Sequence, residues 1–394
     1  MNNPDPTDPK KYLYFARVPH SSEAVVGENL LEFCSQAGVP AREVILNLDG
    51  RLRSELGECL PDALAIVGCN WHLDHSCVGD RIFLDVAAEA GVPVIQWFLD
   101  YPSAHWTEFV YSTAANSRYL FESAYCEAYF RKFIMPDCRS SWTPTGPNRH
   151  ARVGELTPAA FRAREFRSLV PLNLRRIFGT PEEIEWKRAS LPDALRAPVT
   201  EAIEIACGDL QEPVETALLA VSPPGLMEES GLFHHCIQIV LDAVQVRRRL
   251  KIFAVAQEFP VLLQSDIASS YLKGSGPARL EEGVSMEETI RRMPRAMSVV
   301  SLTHVNDHVH NRTLNGLNAG AVNIIEDSRI HRRIFRHGEN ALLFRYDDDS
   351  LKEALALVCG SPERAFRIAE AGFALRDDPR LRFGRLNRLL DLAK

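Results

Sequence analysis

Between Met297 and Leu302 an apolar run leads into the polar stretch His304 to Asn311, and helical spacing begins at Arg312. His308, His310, Asn311 and Arg312 therefore gather where a buried strand hands over to a helix. Ligands of open parallel sheets sit beyond the carboxyl ends of the strands. A helix start there offers N–H donors and the positive end of a dipole. This combination suits a diphosphate: Arg312 supplies a forked, permanent charge, and His308 or His310 reaches phosphate or sugar. After the next strand, Glu326 and Asp327 stand where carboxylates would accept from sugar hydroxyls, a solvated turn being the alternative.

A second set of residues has proton chemistry to offer. His20, in Pro19-His20-Ser21-Ser22, follows the first strand, and Asp100 follows the apolar strand Val94 to Leu99. Both lie at strand carboxyl ends, where a general base for a hydroxyl would stand. Helix capping for His20 and an Asx-turn before Pro102 for Asp100 are the plainer readings. The run Cys69-Asn70-Trp71-His72-Leu73-Asp74-His75-Ser76-Cys77 sets Cys69, His72, His75 and Cys77, all of metal-ligand type, in a Cys-x-x-His-x-x-His-x-Cys pattern. Its spacing is irregular for zinc, so it reads as a strand-end loop and no metal site is expected. Arg248, Arg249 and Lys251, like His331, Arg332 and Arg333, read as solvated helix ends. Asp347 to Asp349 reads as a helix N-cap.

The elements that must position these residues alternate strand and helix. Strands are predicted at Tyr12–Val18, Val44–Leu48, Ala63–Cys69, Val94–Leu99, Arg118–Phe121 and near Trp142. Helices are predicted at Ser22–Gln36 and Val78–Ala90. The pattern loosens at Pro144 to Arg152, and a helix-rich zone runs from Thr157 to Arg249 around an apolar stretch at Leu169–Leu174. Alternation then resumes with strands at Leu250–Val255, Val261–Gln264, Met297–Leu302, Ala321–Ile325 and Ala341–Phe344. Helices follow at Arg312–Ala319, Asp349–Val358, Pro362–Leu375 and Arg380–Leu392. Nearly continuous apolar strands between helices mark doubly wound parallel sheets. The expected class is α/β: two Rossmann-like lobes with a helical segment in the middle of the chain. Residues 1–150 form the first domain and 151–378 the second, with 379–394 a helix returning to the first.

Composition narrows the function classes. At 394 residues two domains are expected, and a formal net charge of −7 argues against a nucleic-acid binder. The polar, Pro-rich start lacks a signal-peptide pattern, and no apolar run is long enough to span a bilayer. Nine scattered cysteines read as reduced thiols, which places the chain in the cytoplasm with at most peripheral membrane contact.

The stretch HNRTLNGLNAGAVNIIEDSRIHRRIFRHGENALLFRYDDDSLKEALALVCGSPERAFRIAEAG carries several ordered features. Arg312 opens a helix, Ala319-Gly320-Ala321 makes a small-residue turn, and Val322 to Ile325 is an apolar strand. Gly338 to Phe344, the acidic run Asp347 to Asp349, and Ile368 to Gly372 follow. In this order they resemble the nucleotide-sugar lobe of GT-B glycosyltransferases, most closely the CgeB-type (spore-protein-like) group. Trp97-Phe98-Leu99-Asp100-Tyr101-Pro102 is similar to a W-x-x-D-x-P element of some relatives. The resemblance implies sugar transfer from a nucleotide-diphosphate sugar, such as a UDP-sugar, to a hydroxyl of a glycan, lipid-linked glycan or protein. It implies no cofactor and no metal, with Asp100 or His20 as base. Many relatives carry two glutamates eight positions apart, the second on the ribose; Asp307 and Asn315 stand there. That departure leaves the stereochemical outcome open. A sugar-nucleotide epimerase or hydrolase, or a non-catalytic nucleotide-sugar-binding protein, remains as the alternative.

Overall fold

The computed structural model describes residues 11–18, 23–46, 53–69, 73, 76–99, 101–105, 116–143, 146–172, 179–209, 212–266, 276–303, 309–347, 349–378, 381 and 384–394. The chain divides into two compact units, Met1–Asn148 with Pro379–Lys394, and Arg149–Asp378.

The first unit runs β1 (Tyr12–Arg17), α1 (Glu23–Gln36), β2 (Ala41–Ile45), α2 (Ser54–Cys59) and β3 (Ala63–Cys69). A short antiparallel hairpin, β4 (Cys77–Val78) and β5 (Arg81–Ile82), precedes α3 (Phe83–Glu89) and β6 (Val94–Phe98). Then come β7 (Ser117–Phe121), α4 (Ala124–Phe133) and β8 (Ser140–Trp142). Six strands form one parallel sheet in the order β2-β1-β3-β6-β7-β8. All five residues of β6 are buried, as a strand covered on both faces requires.

The second unit contains α5 (Pro158–Arg162), β9 (Phe166–Leu172) and four consecutive helices: α6 (Pro181–Ala189), α7 (Asp193–Gly208), α8 (Val214–Val221) and α9 (Ser230–Ala256). Next are β10 (Leu262–Ser265), β11 (Arg279–Glu281), α10 (Met286–Arg292), β12 (Ala296–Ser301) and α11 (Asn311–Asn318). The unit ends with β13 (Val322–Glu326), α12 (Arg329–Ile334), β14 (Leu342–Phe344), α13 (Ser350–Gly360) and α14 (Pro362–Ala374). Its six-stranded parallel sheet has the order β11-β10-β9-β12-β13-β14. Chain order reverses between β9 and β12, so their carboxyl ends frame the crevice in which such sheets bind ligands. The last helix, α15 (Gly384–Leu392), belongs to the first unit, where Leu389 and Leu392 join Val26, Leu30 and Cys34 of α1 in one cluster.

Several expectations need correction. Leu250–Val255 is not a strand: it continues α9, whose Ile252, Phe253 and Ala256 face the sheet core. A short apolar run has no period of its own, and here the preceding helix propagates through it. The helix expected from Val78 starts only at Phe83, because Gly79, at φ +64, turns the hairpin first. Strand β2 lies earlier than Val44–Leu48, and β11 carried no signal strong enough to be foreseen. Asp349 stands at the N-cap of α13 but makes no side-chain cap bond. Among the described residues no helix is long and apolar enough to cross a membrane.

Candidate functional site at the sheet reversal

Strand β12 ends at Ser301, whose hydroxyl accepts a hydrogen bond from Thr313 of α11 at 3.0 Å. That bond, with Gly320 in the left-handed conformation (φ +58) just past the helix, fixes α11 against the carboxyl end of β12. At the helix start His310 is the N-cap: its Nδ1 accepts from the Arg312 N–H at 3.0 Å. The Thr313 N–H donates to the His310 carbonyl at 2.9 Å. The first turn is thus partly satisfied internally, and the N–H seat inferred from the sequence is narrower than expected. The helix dipole and the Arg312 side chain remain to attract an anion.

Arg312 is half-buried, and among the described residues no hydrogen bond or ion pair engages its guanidinium. Burial, with the Arg249 guanidinium second, pushes it down to about 9. Arg249, on α9, is 3% exposed and donates to the Gln245 carbonyl at 3.3 Å and to the Gln245 side-chain oxygen. Burial lowers it to about 10, while Tyr346, Glu326 and Asp266 pull the other way. Both arginines stay charged at neutral pH. Arg248, next to it, lies over the Tyr346 ring at 5.6 Å and donates to the Ala206 carbonyl at 3.2 Å. The pair read as part of a solvated helix end is buried: Arg248 and Arg249 turn inward to the ends of β13 and β14.

Glu326 ends β13 with 2% exposure. One carboxylate oxygen accepts from the Thr303 N–H at 3.0 Å and from the Thr303 hydroxyl, and the other from the Tyr346 hydroxyl at 2.5 Å. Its carboxylate faces protein groups and anchors the start of the segment that follows β12. Asp327 receives a two-pronged bond from Arg332 at 2.5 and 2.6 Å. Together with Arg345, Tyr346 and Cys207 it lines a polar cavity of about 170 Å³. Asn311 is half-buried in the first turn, and Asn315 is 1% exposed one turn on. His331, of the other basic cluster, is buried, its Nδ1 2.7 Å from the Glu326 carbonyl oxygen.

His20, Asp100, Asp307 and His308 lie outside the described residues. So do most of the residues between Cys69, which ends β3, and Cys77, which opens β4. Arg249 was missed by sequence reasoning. The signal that could have found it is the run Arg247 to Arg249 inside a long, largely apolar helix, where burying a charge is costly.

No family model and no curated protein matches the chain. Solved structures do. T4 phage BGT, determined with its UDP-glucose substrate, is 9% identical over 97% of this chain and 99% of that chain, with a TM-score of 0.51. A glycosyltransferase from Rickettsia africae ESF-5 is 8% identical over 98% of this chain and 99% of that one, with a TM-score of 0.50. Anabaena Alr3699/HepE in complex with UDP-glucose is 10% identical over 96% and 98%, at 0.49. At such identities the likeness is one of fold, and the chain carries the two Rossmann-like parallel-sheet lobes of the GT-B glycosyltransferases.

Proposed function

We propose that this chain is a glycosyltransferase that takes its sugar from a nucleotide-diphosphate sugar, with the second unit holding the donor. The observation that carries the reading is Arg312: a half-buried guanidinium, without a hydrogen bond or ion pair among the described residues, in the first turn of α11, at the sheet reversal and beside a second arginine. Among the described residues this cation has no counter-charge, and a diphosphate supplies one. The shared fold with BGT, whose UDP-glucose complex is known, makes a UDP-sugar the first donor to try.

In this reading Arg312 and the α11 dipole meet the charge that grows on the leaving diphosphate as the sugar bond breaks. Holding that charge in place before the reaction lowers the barrier without reorganisation. The acceptor, a hydroxyl of a glycan, lipid-linked glycan or protein, loses its proton to a base from the first unit, Asp100 or His20. Asn315 bonds the ribose from α11, and no metal or cofactor takes part. The CgeB-type kinship and a cytoplasmic setting for the nine free thiols belong to the same proposal.

Calorimetry with nucleoside diphosphates tests the donor site. Arg312→Ala should lose about 1.5–3 kcal/mol of affinity, the scale of a charge-assisted hydrogen bond, with the fold retained. A wild-type chain that binds no nucleoside diphosphate, or a variant that binds one equally well, removes the reading. Turnover should persist in excess chelator. Loss of activity with EDTA and its return with magnesium or manganese would overturn the metal-free mechanism. Donor binding without transfer to any acceptor would identify a non-catalytic binding protein.

A further inference from the structure

We infer that Arg249, delivered by the long helix α9, is a second cation on the donor diphosphate, facing Arg312. The inference rests on the donor-site reading above and extends it to a residue outside the sheet-and-loop frame. Helices α6 to α9 are inserted between two strands that pair directly, β9 and β10. Those two strands pair in parallel, so a crossover helix must join them; α9, packed on the sheet core, supplies it, and α6 to α8 are additional.

Helix α9 carries three successive arginines, and the 100° step between them sends each a different way. Arg247 points outward to Glu204 at 2.7 Å. Arg248 is taken up by the Tyr346 ring and the Ala206 carbonyl. Arg249 goes inward. Ile252, Phe253 and Ala256 of the same helix share a cluster with Val300, Ile324 and Phe344, so α9 covers the sheet face to which those residues point. Helix α11 covers the other face, because Gly316 backs onto Asn323, and alternate strand residues point to opposite sides. Two side chains from opposite faces meet only over an edge of the sheet. Arg249 shares the inward stripe of α9 with Ile252, Phe253 and Ala256, and its neighbour Arg248 lies over the Tyr346 ring, so α9 brings it to the carboxyl ends of β13 and β14, where Arg312 is a charged neighbour.

Among the described residues the carboxylates flank Arg249, and Arg249 is the charged neighbour of Arg312. Two planar forks converging on one spot match the two phosphoryl groups of a diphosphate better than one would. Glu326, which accepts a hydrogen bond from the neutral Tyr346 hydroxyl, is a carboxylate near Arg249 that favours its charged form before the ligand arrives. It is a positioning residue in this scheme.

Titrations of the full chain with UDP, inorganic pyrophosphate and uridine separate the outcomes. Arg249→Met keeps the length of the side chain and removes the charge. It should weaken UDP and pyrophosphate at least tenfold and change uridine less than twofold, with an unchanged circular dichroism spectrum. If Arg312→Met loses UDP while Arg249→Met keeps it within twofold, the donor site stands and the role of Arg249 falls. If the wild-type chain binds neither UDP nor pyrophosphate, the donor-site reading falls and takes this inference with it. Should Arg249→Met fail to fold, Arg249→Lys decides: a folded variant with pyrophosphate affinity reduced threefold or more supports the clamp. Unchanged affinity overturns it.

Discussion

Setting the Arg312 guanidinium half inside the protein, with Arg249 as its charged neighbour, raises the free energy of the ligand-free chain. A base held below its ordinary value is destabilising wherever it is protonated in both the folded and unfolded states. Arg312 sits at about 9, well below the ordinary range of a guanidinium, so the cost is fully present at pH 7 and is relieved only as pH rises from about 9. An anion pays this back on binding. Arg312→Met should therefore raise the thermal midpoint of the ligand-free protein at pH 7, by roughly 2–4 °C per kcal/mol regained, while donor affinity falls. A variant that melts below the wild type would mean the charge has a structural counter-ion. Arg312 was legible in the sequence because strand, polar loop and helix follow one another there in a recognisable order. Arg249 was not: Leu250–Val255 reads as a strand, which makes the arginines a solvated helix end, and only the continuation of α9 through that run turns Arg249 inward.

At the scale of elements, sequence signals worked where period and punctuation agreed, as at Val94–Phe98, bounded by Gly91 and Pro93, and at the Gly320 turn. They failed where a neighbour overrode a short run, as α9 does for Leu250–Val255. The closing Ile368-Ala369-Glu370-Ala371-Gly372 stretch shows what a pattern leaves unexplained until the packing is known. A Cβ on Gly372 would lie 2.7 Å from the Asn340 carbonyl oxygen, so the glycine lets α14 lie against the turn before β14. Gly360, ending α13, has nothing within 4 Å of its would-be Cβ. The same substitution should then act with opposite signs in adjacent helices. Gly360→Ala gains about 0.4–1 kcal/mol from helix propensity and a less flexible unfolded chain. At Gly372 that gain is outweighed by overpacking of about 1–3 kcal/mol against backbone that cannot swing aside. Urea unfolding of the two variants checks this, and equal effects would show that α14 does not need the close approach.

At the scale of the whole molecule, the first unit is built from the two ends of the chain, and its core is incomplete until the last residues are in place. Leu389 is fully buried and Leu392 is 5% exposed, against Val26, Leu30 and Cys34 of α1. The same cluster contains Trp97 of β6. Leu389→Ala removes a branched side chain from a site that α1 and the sheet close from the other side, so little collapse is available. The expected cost is about 2–5 kcal/mol. Trp97 is buried in this cluster, whereas Trp186 in the second unit is 72% exposed and changes its surroundings little on unfolding. Tryptophan fluorescence therefore reads the first unit selectively. Its transition should move to lower denaturant in Leu389→Ala, and further in a chain ending at Asp378, which leaves the α1 face uncovered. If the fluorescence transition of the shortened chain coincides with that of the full chain, α15 is an appendage and the first unit is complete without it.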